Sequence, residues 1–265
     1  MTEKQYRAHP AVSRSELWRI SESPEKFRYY KDNQEEPTPA LLFGQLFHKM
    51  ALEPETLHDE FAIIPDFDRR TKAGKEAYSQ FLSEADGKTI VTGDMFALSE
   101  AICKSLYSSG FAKKLLSGVH EKVFFWTDEL TGEECKCRVD CITEVGELPL
   151  IIDIKTCACA ESEAFMKAAI KHGYDFQSGM YTEGVKVCTG KQHGFVFIAV
   201  EKEPPYAVNI LQADKLFITR GYDLFREYIG IYHDCKMTDN WYGYLGRHNM
   251  INNLGLPSYL AKEVE

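Results

Sequence analysis

Four absences narrow what this sequence can be. No apolar run approaches the ~18–20 residues that a bilayer-spanning helix needs, and the opening Met1-Thr2-Glu3-Lys4-Gln5 has no secretory signal core. A soluble cytoplasmic protein with no membrane partner is expected. No C-x-x-C pair occurs among the eight cysteines, so the usual spacing of a structural zinc site is missing. Cys135, Cys137, Cys141, Cys157 and Cys159 do crowd one region. They read as reduced thiols, with a metal cluster as the lesser alternative. Positive charge is also scarce: 31 Lys and Arg stand against 40 Asp and Glu, a net charge of −9. That argues against a protein coating nucleic acid through a generally basic surface. It leaves room for an enzyme with an acidic metal site and local basic patches. Lastly, there are no repeats, no low-complexity tract and no clear linker, so the 265 residues read as one domain.

Along the chain the pattern changes once. The first part is helical. Ser13-x-x-Glu16 is a capping box leading into Leu17, Trp18 and Ile20. Ser23-Pro24-Glu25 repeats the start signal with proline at the first helical position. Residues 40–52, 72–85 and 94–107 show helical periodicity, and His48 falls on the first of these. Strand patterns follow at 121–127, 134–143 and 148–155, with Thr131-Gly132 and Gly146-Glu147 as turns. Helices are expected at 161–172 and 174–188, strands at 194–200 and 206–211, and a long helix from its cap at Asp214 to about residue 235. The outline is an α/β fold: residues 1–110 mainly helical, a core at 119–235 and an irregular tail at 236–265.

The chemistry concentrates in the strands. Asp140 ends the run Lys136-Cys137-Arg138-Val139-Asp140, and Asp153-Ile154-Lys155 lies in an otherwise apolar strand thirteen residues later. Residues i and i+2 share a strand face, so Asp153 and Lys155 point one way and Ile152 and Ile154 the other. Buried charges are costly unless they are paired or bind a metal. Two carboxylates on neighbouring strands suit Mg²⁺ or Mn²⁺, with the Ile154 carbonyl as a further ligand and Lys155 placed to neutralise charge developing on a phosphate. A plain semi-buried Asp–Lys pair is the competing reading. Gln177 and Tyr181, four apart, share a helix face. Arg69-Arg70-Thr71-Lys72-Ala73-Gly74-Lys75 is the most basic stretch and reads either as a phosphate contact, through Arg69, Arg70, Lys72 and Lys75, or as a solvated helix start. It lacks the first glycine and final Ser/Thr of a P-loop. Trp18, Phe124, Phe125 and Trp126 offer stacking surfaces, though core packing explains most of them.

Taken in order, a helical Gly44-x-x-x-His48, a strand Glu121, a strand Asp140, Asp153-x-Lys155 and a helical Gln177-x-x-x-Tyr181 resemble the RecB-like branch of the PD-(D/E)XK nucleases. Ser13-Arg14-Ser15-Glu16-Leu17 and Ser23-Pro24-Glu25-Lys26-Phe27 are similar to that branch's opening. Residues 47–55, 67–75 and 135–140 carry a closer resemblance to the nuclease domain of RecE-type exonucleases (exodeoxyribonuclease VIII). The resemblance implies a PD-(D/E)XK restriction-endonuclease-like core, a central mixed sheet flanked by helices, with an N-terminal helical elaboration. It implies a Mg²⁺-dependent exonuclease, with Mn²⁺ as substitute, acting on duplex DNA ends. Cleavage would run 5′→3′, leaving 3′ single-stranded overhangs for phage-type recombination. Members form homo-oligomeric rings, here a trimer or tetramer, and prophage versions work with a single-strand annealing recombinase. By motif, His48, Asp140, Asp153 and the Ile154 carbonyl would hold metal, and Lys155 would be catalytic. Glu121 would join the site network, and Gln177 and Tyr181 would support the site or contact DNA. Residues 145–149 lengthen the hairpin between the two aspartates. The alternatives are a RecB-like endonuclease or single-strand nuclease, an iron–sulfur nuclease that the isolated Cys235 disfavours, and a catalytically silent DNA-end-binding subunit.

Overall fold

The helices of the N-terminal part begin where side chains cap them. In the computed structural model, which describes residues 1, 3–33, 36–246, 251, 254 and 255, α1 spans Glu3–Ala8 and α2 Arg14–Trp18. Ser13 caps α2 in the expected box: its backbone N–H donates to Glu16 Oε2 at 2.7 Å, and its hydroxyl accepts from the Glu16 N–H. α3 (Pro24–Asp32) starts at Ser23 with proline in its first turn, and α4 (Pro39–Leu52) starts at Thr38 in the same way. Then come α5 (Leu57–Glu60), β1 (Phe61–Ile64), α6 (Lys72–Glu84), β2 (Thr89–Thr92), α7 (Gly93–Ser108) and α8 (Gly110–Leu115). The second part contributes β3 (Val119–Thr127), β4 (Glu134–Val145), β5 (Leu148–Cys157), α9 (Ser162–Lys171), α10 (Tyr174–Thr189), β6 (Gly194–Glu201), β7 (Val208–Gln212) and α11 (Lys215–Thr238).

β3 to β7 form a mixed sheet in sequence order; only the β5–β6 pair is parallel. Both faces are buried, and alternation serves both, except that β4 changes face past Asp140, where Cys141 joins the face opposite Cys135, Cys137 and Val139. On one face Phe195, Phe197 and Ala199 of β6 join Cys135, Cys137, Val139 and Ile151 under α10, α11 and α2. On the other, Val196, Ile198, Val200, Ile152 and Ile154 pack with Phe43 and Phe47 of α4 and with α7 and α8. α10 and α11 cross closely because each has a glycine at the contact: a Cβ on Gly179 would lie 2.1 Å from the Tyr222 nitrogen, and one on Gly221 would overlap the Asp175 carbonyl.

The sequence reading missed several elements. β1 and β2 form a separate parallel pair over α4 and α7, and α1, α5 and α8 were also unforeseen. β3 begins two residues before the expected Glu121, and α11 runs to Thr238. The 145–149 stretch is a regular hairpin, with Val145 paired to Leu148 and Gly146 at φ 66°. Phe124 and Trp126 are core residues, whereas Phe125 is exposed and its ring lies tilted against His9. Most of the expected irregular tail lies outside the described residues. Among the described residues no helix is long and apolar enough to cross a membrane.

Candidate active site

The site forms where two strands part. β4 and β5 pair from Val145↔Leu148 to Cys141↔Ile152, and the ladder stops there. One step further, the register would set Asp140 opposite Asp153. Instead the Asp140 carboxylate turns into the gap and its Oδ2 accepts the Ile154 N–H at 2.7 Å. On the other side of β4, His120↔Cys141 and Lys122↔Val139 bracket a missing pair, which places Glu121 opposite Asp140. Glu121 has φ 48°, left-handed backbone that side-chain-bearing residues seldom adopt within a strand. Thus Glu121, Asp140 and Asp153 occupy one row across three strands. Like charges in directly opposed positions destabilise a sheet, so fold stability alone does not account for this row.

The N-terminal segment fills the gap left by β5. The Val12 N–H donates to the Glu134 carbonyl and its carbonyl accepts from the Lys136 N–H, both at 2.8 Å, so residues 11–13 lie beside β4 as a short parallel bridge. α1 covers the neighbouring Lys136, whose Nζ donates to the Tyr6 and His9 carbonyls at 2.8 and 2.7 Å. α2 therefore begins at the edge of the site.

Each acidic group has its own cationic neighbour. His48, carried by α4, places Nδ1 3.4 Å from Asp140 Oδ2. Arg138 Nε pairs with Glu121 Oε2 at 2.8 Å. Lys155 ion-pairs with Asp153 Oδ2 and lies 5.1 Å from the Tyr174 ring centre. Gln177, on the face of α10 that meets the sheet, donates its amide to Asp153 Oδ1. Asp153 is 2% exposed, and its Oδ2 accepts no hydrogen bond of ordinary geometry despite the lysine contact.

The electrostatics follow from burial and crowding. Burial, with Asp140 alongside, pushes the Glu121 carboxyl up to about 7. Burial and Asp140 likewise raise Asp153, against the pull of Lys155. Asp140 goes the other way: burial opposes its ionisation, but His48, Lys155 and the Ile154 N–H hold it below the ordinary carboxylate value. Burial opposes charge on His48 and Lys155 too, and the facing aspartates override it and raise both.

Of the residues singled out in the sequence, the structure brings His48, Glu121, Asp140, Asp153, Ile154, Lys155 and Gln177 together. His48, Glu121 and Asp140 offer ligand atoms within 4.8 Å of one another, a group able to hold a metal ion. Asp153 stands outside that trio, its oxygens turned to Lys155 and Gln177. Tyr181 lies one helical turn beyond Gln177, its phenol pushed well above the usual range by burial. The basic stretch is exposed and makes local contacts: Arg70 with Asp68 at 2.8 Å, Lys72 with Glu76 at 3.8 Å, and Arg69 4.8 Å from the Tyr78 ring centre. All eight cysteines are free thiols, and none belongs to the metal-competent trio. Two site residues escaped the sequence reading. Arg138 carries one available signal, two places before Asp140 on the same strand face. Arg14 carries only its position in the opening motif.

The donor set fits a hard divalent cation: carboxylate oxygens with one imidazole, plus a buried carboxylate oxygen lacking a proper hydrogen bond.

Comparison with known proteins agrees with this geometry. No curated protein matches the chain. A crystal structure from Eubacterium rectale named "Putative exonuclease" superimposes with a TM-score of 0.65 at 16% identity, over 97% of this chain and 96% of its own. At that identity it speaks to fold alone. A solved structure of SSO0001 overlays with a TM-score of only 0.37 at 13% identity, over 86% of this chain and 81% of its own, and bears no argument. Residues 13–253 match the family described as a PDDEXK-like domain of unknown function, DUF3799. With most of its length matched and its mixed sheet flanked by helices around the Asp140/Asp153-x-Lys155 row, the chain belongs to this PDDEXK-like family and has a PD-(D/E)XK core.

Proposed function

We propose that this chain is a metal-dependent deoxyribonuclease that degrades linear duplex DNA from its ends. One observation carries the reading: three carboxylates aligned across the strand splay, with the Lys155 ammonium against the last of them. His48, Glu121 and Asp140 would hold the cation, with Asp153 and the Ile154 carbonyl as further donors. Mg²⁺ is the ion, and Mn²⁺ its substitute. When bound, such a cation would supply Lewis-acid polarisation of the scissile phosphate and a lowered pKa for an attacking water.

The remaining roles belong to the chain. Lys155, kept charged by Asp153 and Asp140, offsets negative charge building on the phosphate oxygens. Gln177 fixes the orientation of Asp153. Arg69, Arg70, Lys72 and Lys75 present an exposed cationic edge for backbone phosphates. Tyr181 supports the Gln177 face.

The finer reading is a RecE-type enzyme: cleavage 5′→3′, a 3′ overhang, a ring of three or four subunits and a single-strand annealing recombinase as partner. The three segments that resemble RecE-type nucleases support it.

The test compares linear and covalently closed circular duplex in Mg²⁺. Loss of the linear form alone, with mononucleotide release, is expected. Equal cutting of circles makes the protein an endonuclease. Asp153→Ala should abolish DNA loss in a folded protein, and unchanged loss would identify a contaminating activity.

A further inference from the structure

The ion pairs of the site leave one cation over. Glu121 is matched by Arg138, Asp140 by His48 and Asp153 by Lys155. Among the described residues Arg14 has no such carboxylate partner. It is the first residue of α2, placed at the splay because residues 11–13 pair with β4. Its side chain reaches the end of α9, where Nη2 donates to the Gly173 carbonyl at 2.8 Å and also to the His172 carbonyl. The Trp18 ring centre lies 5.4 Å from the guanidinium carbon. Its Nε is buried with no hydrogen-bond partner. Its electrostatic neighbours are Tyr181, Asp153 and Tyr174, and the one carboxylate among them is already engaged by Lys155 and Gln177.

A guanidinium held by carbonyls and an aromatic ring, with its buried Nε donor left over, gains from an anion that completes it. A divalent cation at His48, Glu121 and Asp140 would increase the positive excess and make an anion there more favourable. A cap for the end of α9 needs Nη2 alone, and a lysine would serve. The guanidinium fork is what a phosphate recognises.

We propose that Arg14 is a substrate-binding residue, its guanidinium contacting a phosphodiester of the DNA strand held against Asp140, Asp153 and Lys155. This inference rests on the nuclease reading. The full-length protein, Arg14→Gln and Arg14→Lys are compared for binding of a short labelled duplex in Ca²⁺, across a salt series. Thermal unfolding and Mn²⁺ binding are followed in parallel. Arg14→Gln should weaken duplex binding about tenfold or more and lower the slope of log affinity against log salt by about one, while Mn²⁺ affinity stays at the wild-type value. Arg14→Lys should keep the slope and recover part of the affinity. Wild-type affinity and slope in Arg14→Gln would overturn the proposal and leave Arg14 a helix cap, whatever its effect on unfolding. Wild-type protein that binds no duplex would overturn the nuclease reading, and this proposal with it.

Discussion

The Glu121 carboxyl departs from ordinary carboxylate chemistry, and its environment would make metal binding depend on pH. Its carboxyl is lifted to about 7, and His48 is also raised. A cation at this site must displace protons from both, because metal ligands bind deprotonated. Mn²⁺ affinity should therefore rise between about pH 6 and pH 8, with proton release seen as buffer-dependent heat in calorimetry. Glu121→Gln should flatten that dependence, and an affinity unchanged over the interval would remove Glu121 and His48 from the ligand set. Lys155 gives a second expectation. Lys155→Met leaves Asp153 buried without its ion pair, and breaking a buried pair costs about 3–5 kcal/mol. Cleavage should vanish and the melting temperature fall, whereas the double variant Asp153→Leu/Lys155→Met should recover much of the stability without activity. The Asp153-x-Lys155 pair was legible in the sequence because strand alternation puts both charges on one face of an apolar run. Arg14 was not: its contacts lie 158 and 159 residues away, and no local pattern encodes them.

The elements that fix these residues are held at two places. One is the crossing of α10 and α11, where Gly221 leaves no room for a side chain against the Asp175 carbonyl. Overpacking typically costs about 1–3 kcal/mol, and here the obstacle is backbone, which cannot rotate away. Gly221→Ala should lower the melting temperature and, by shifting α10, loosen Gln177 from Asp153 and reduce cleavage more than the stability loss explains. The other is the β3–β4 turn, tied to α11 by Arg226 on Asp128 and by His233 and Lys236 on Glu133, the last two at 2.9 and 2.6 Å. Burial opposes ionisation of both carboxylates, yet these partners hold them below their ordinary values. Groups depressed in the folded state add stability above their unfolded pKa values, about 3.9 and 4.3, and lose it as pH falls further. Acid unfolding should set in below about pH 4, and Arg226→Gln should move the midpoint to higher pH in a circular-dichroism titration. The strongly periodic helices and the three central strands were readable because caps, turns and alternation coincide there. β1 and β2 were not, since four residues give too short a period and their parallel pairing joins segments 28 positions apart.

At the scale of the molecule, charge and proposed processivity pull against each other. A net charge of −9 repels duplex everywhere except at local basic patches. A single subunit holding DNA through a few phosphate contacts would release it readily, and sooner as salt rises, because each contact contributes a counterion-release term. Enclosing the duplex would hold an acidic nuclease on its substrate. A closed ring achieves this: the repelling exterior discourages side binding, and the cationic edge at Arg69, Arg70, Lys72 and Lys75 together with the splay can face a shared channel. Closed rotational symmetry is the usual way in which identical chains assemble without leaving an open end. Light scattering at micromolar concentration should give a mass three or four times the 30.3 kDa of one chain. Dilution below the assembly threshold should shorten the tract degraded per encounter before it slows the first cut, because the carboxylate row lies within one chain and the proposed enclosure would not. A monomeric mass that persists while long tracts are still degraded would place the clamp elsewhere, in the DNA contacts of a single subunit or in a partner protein.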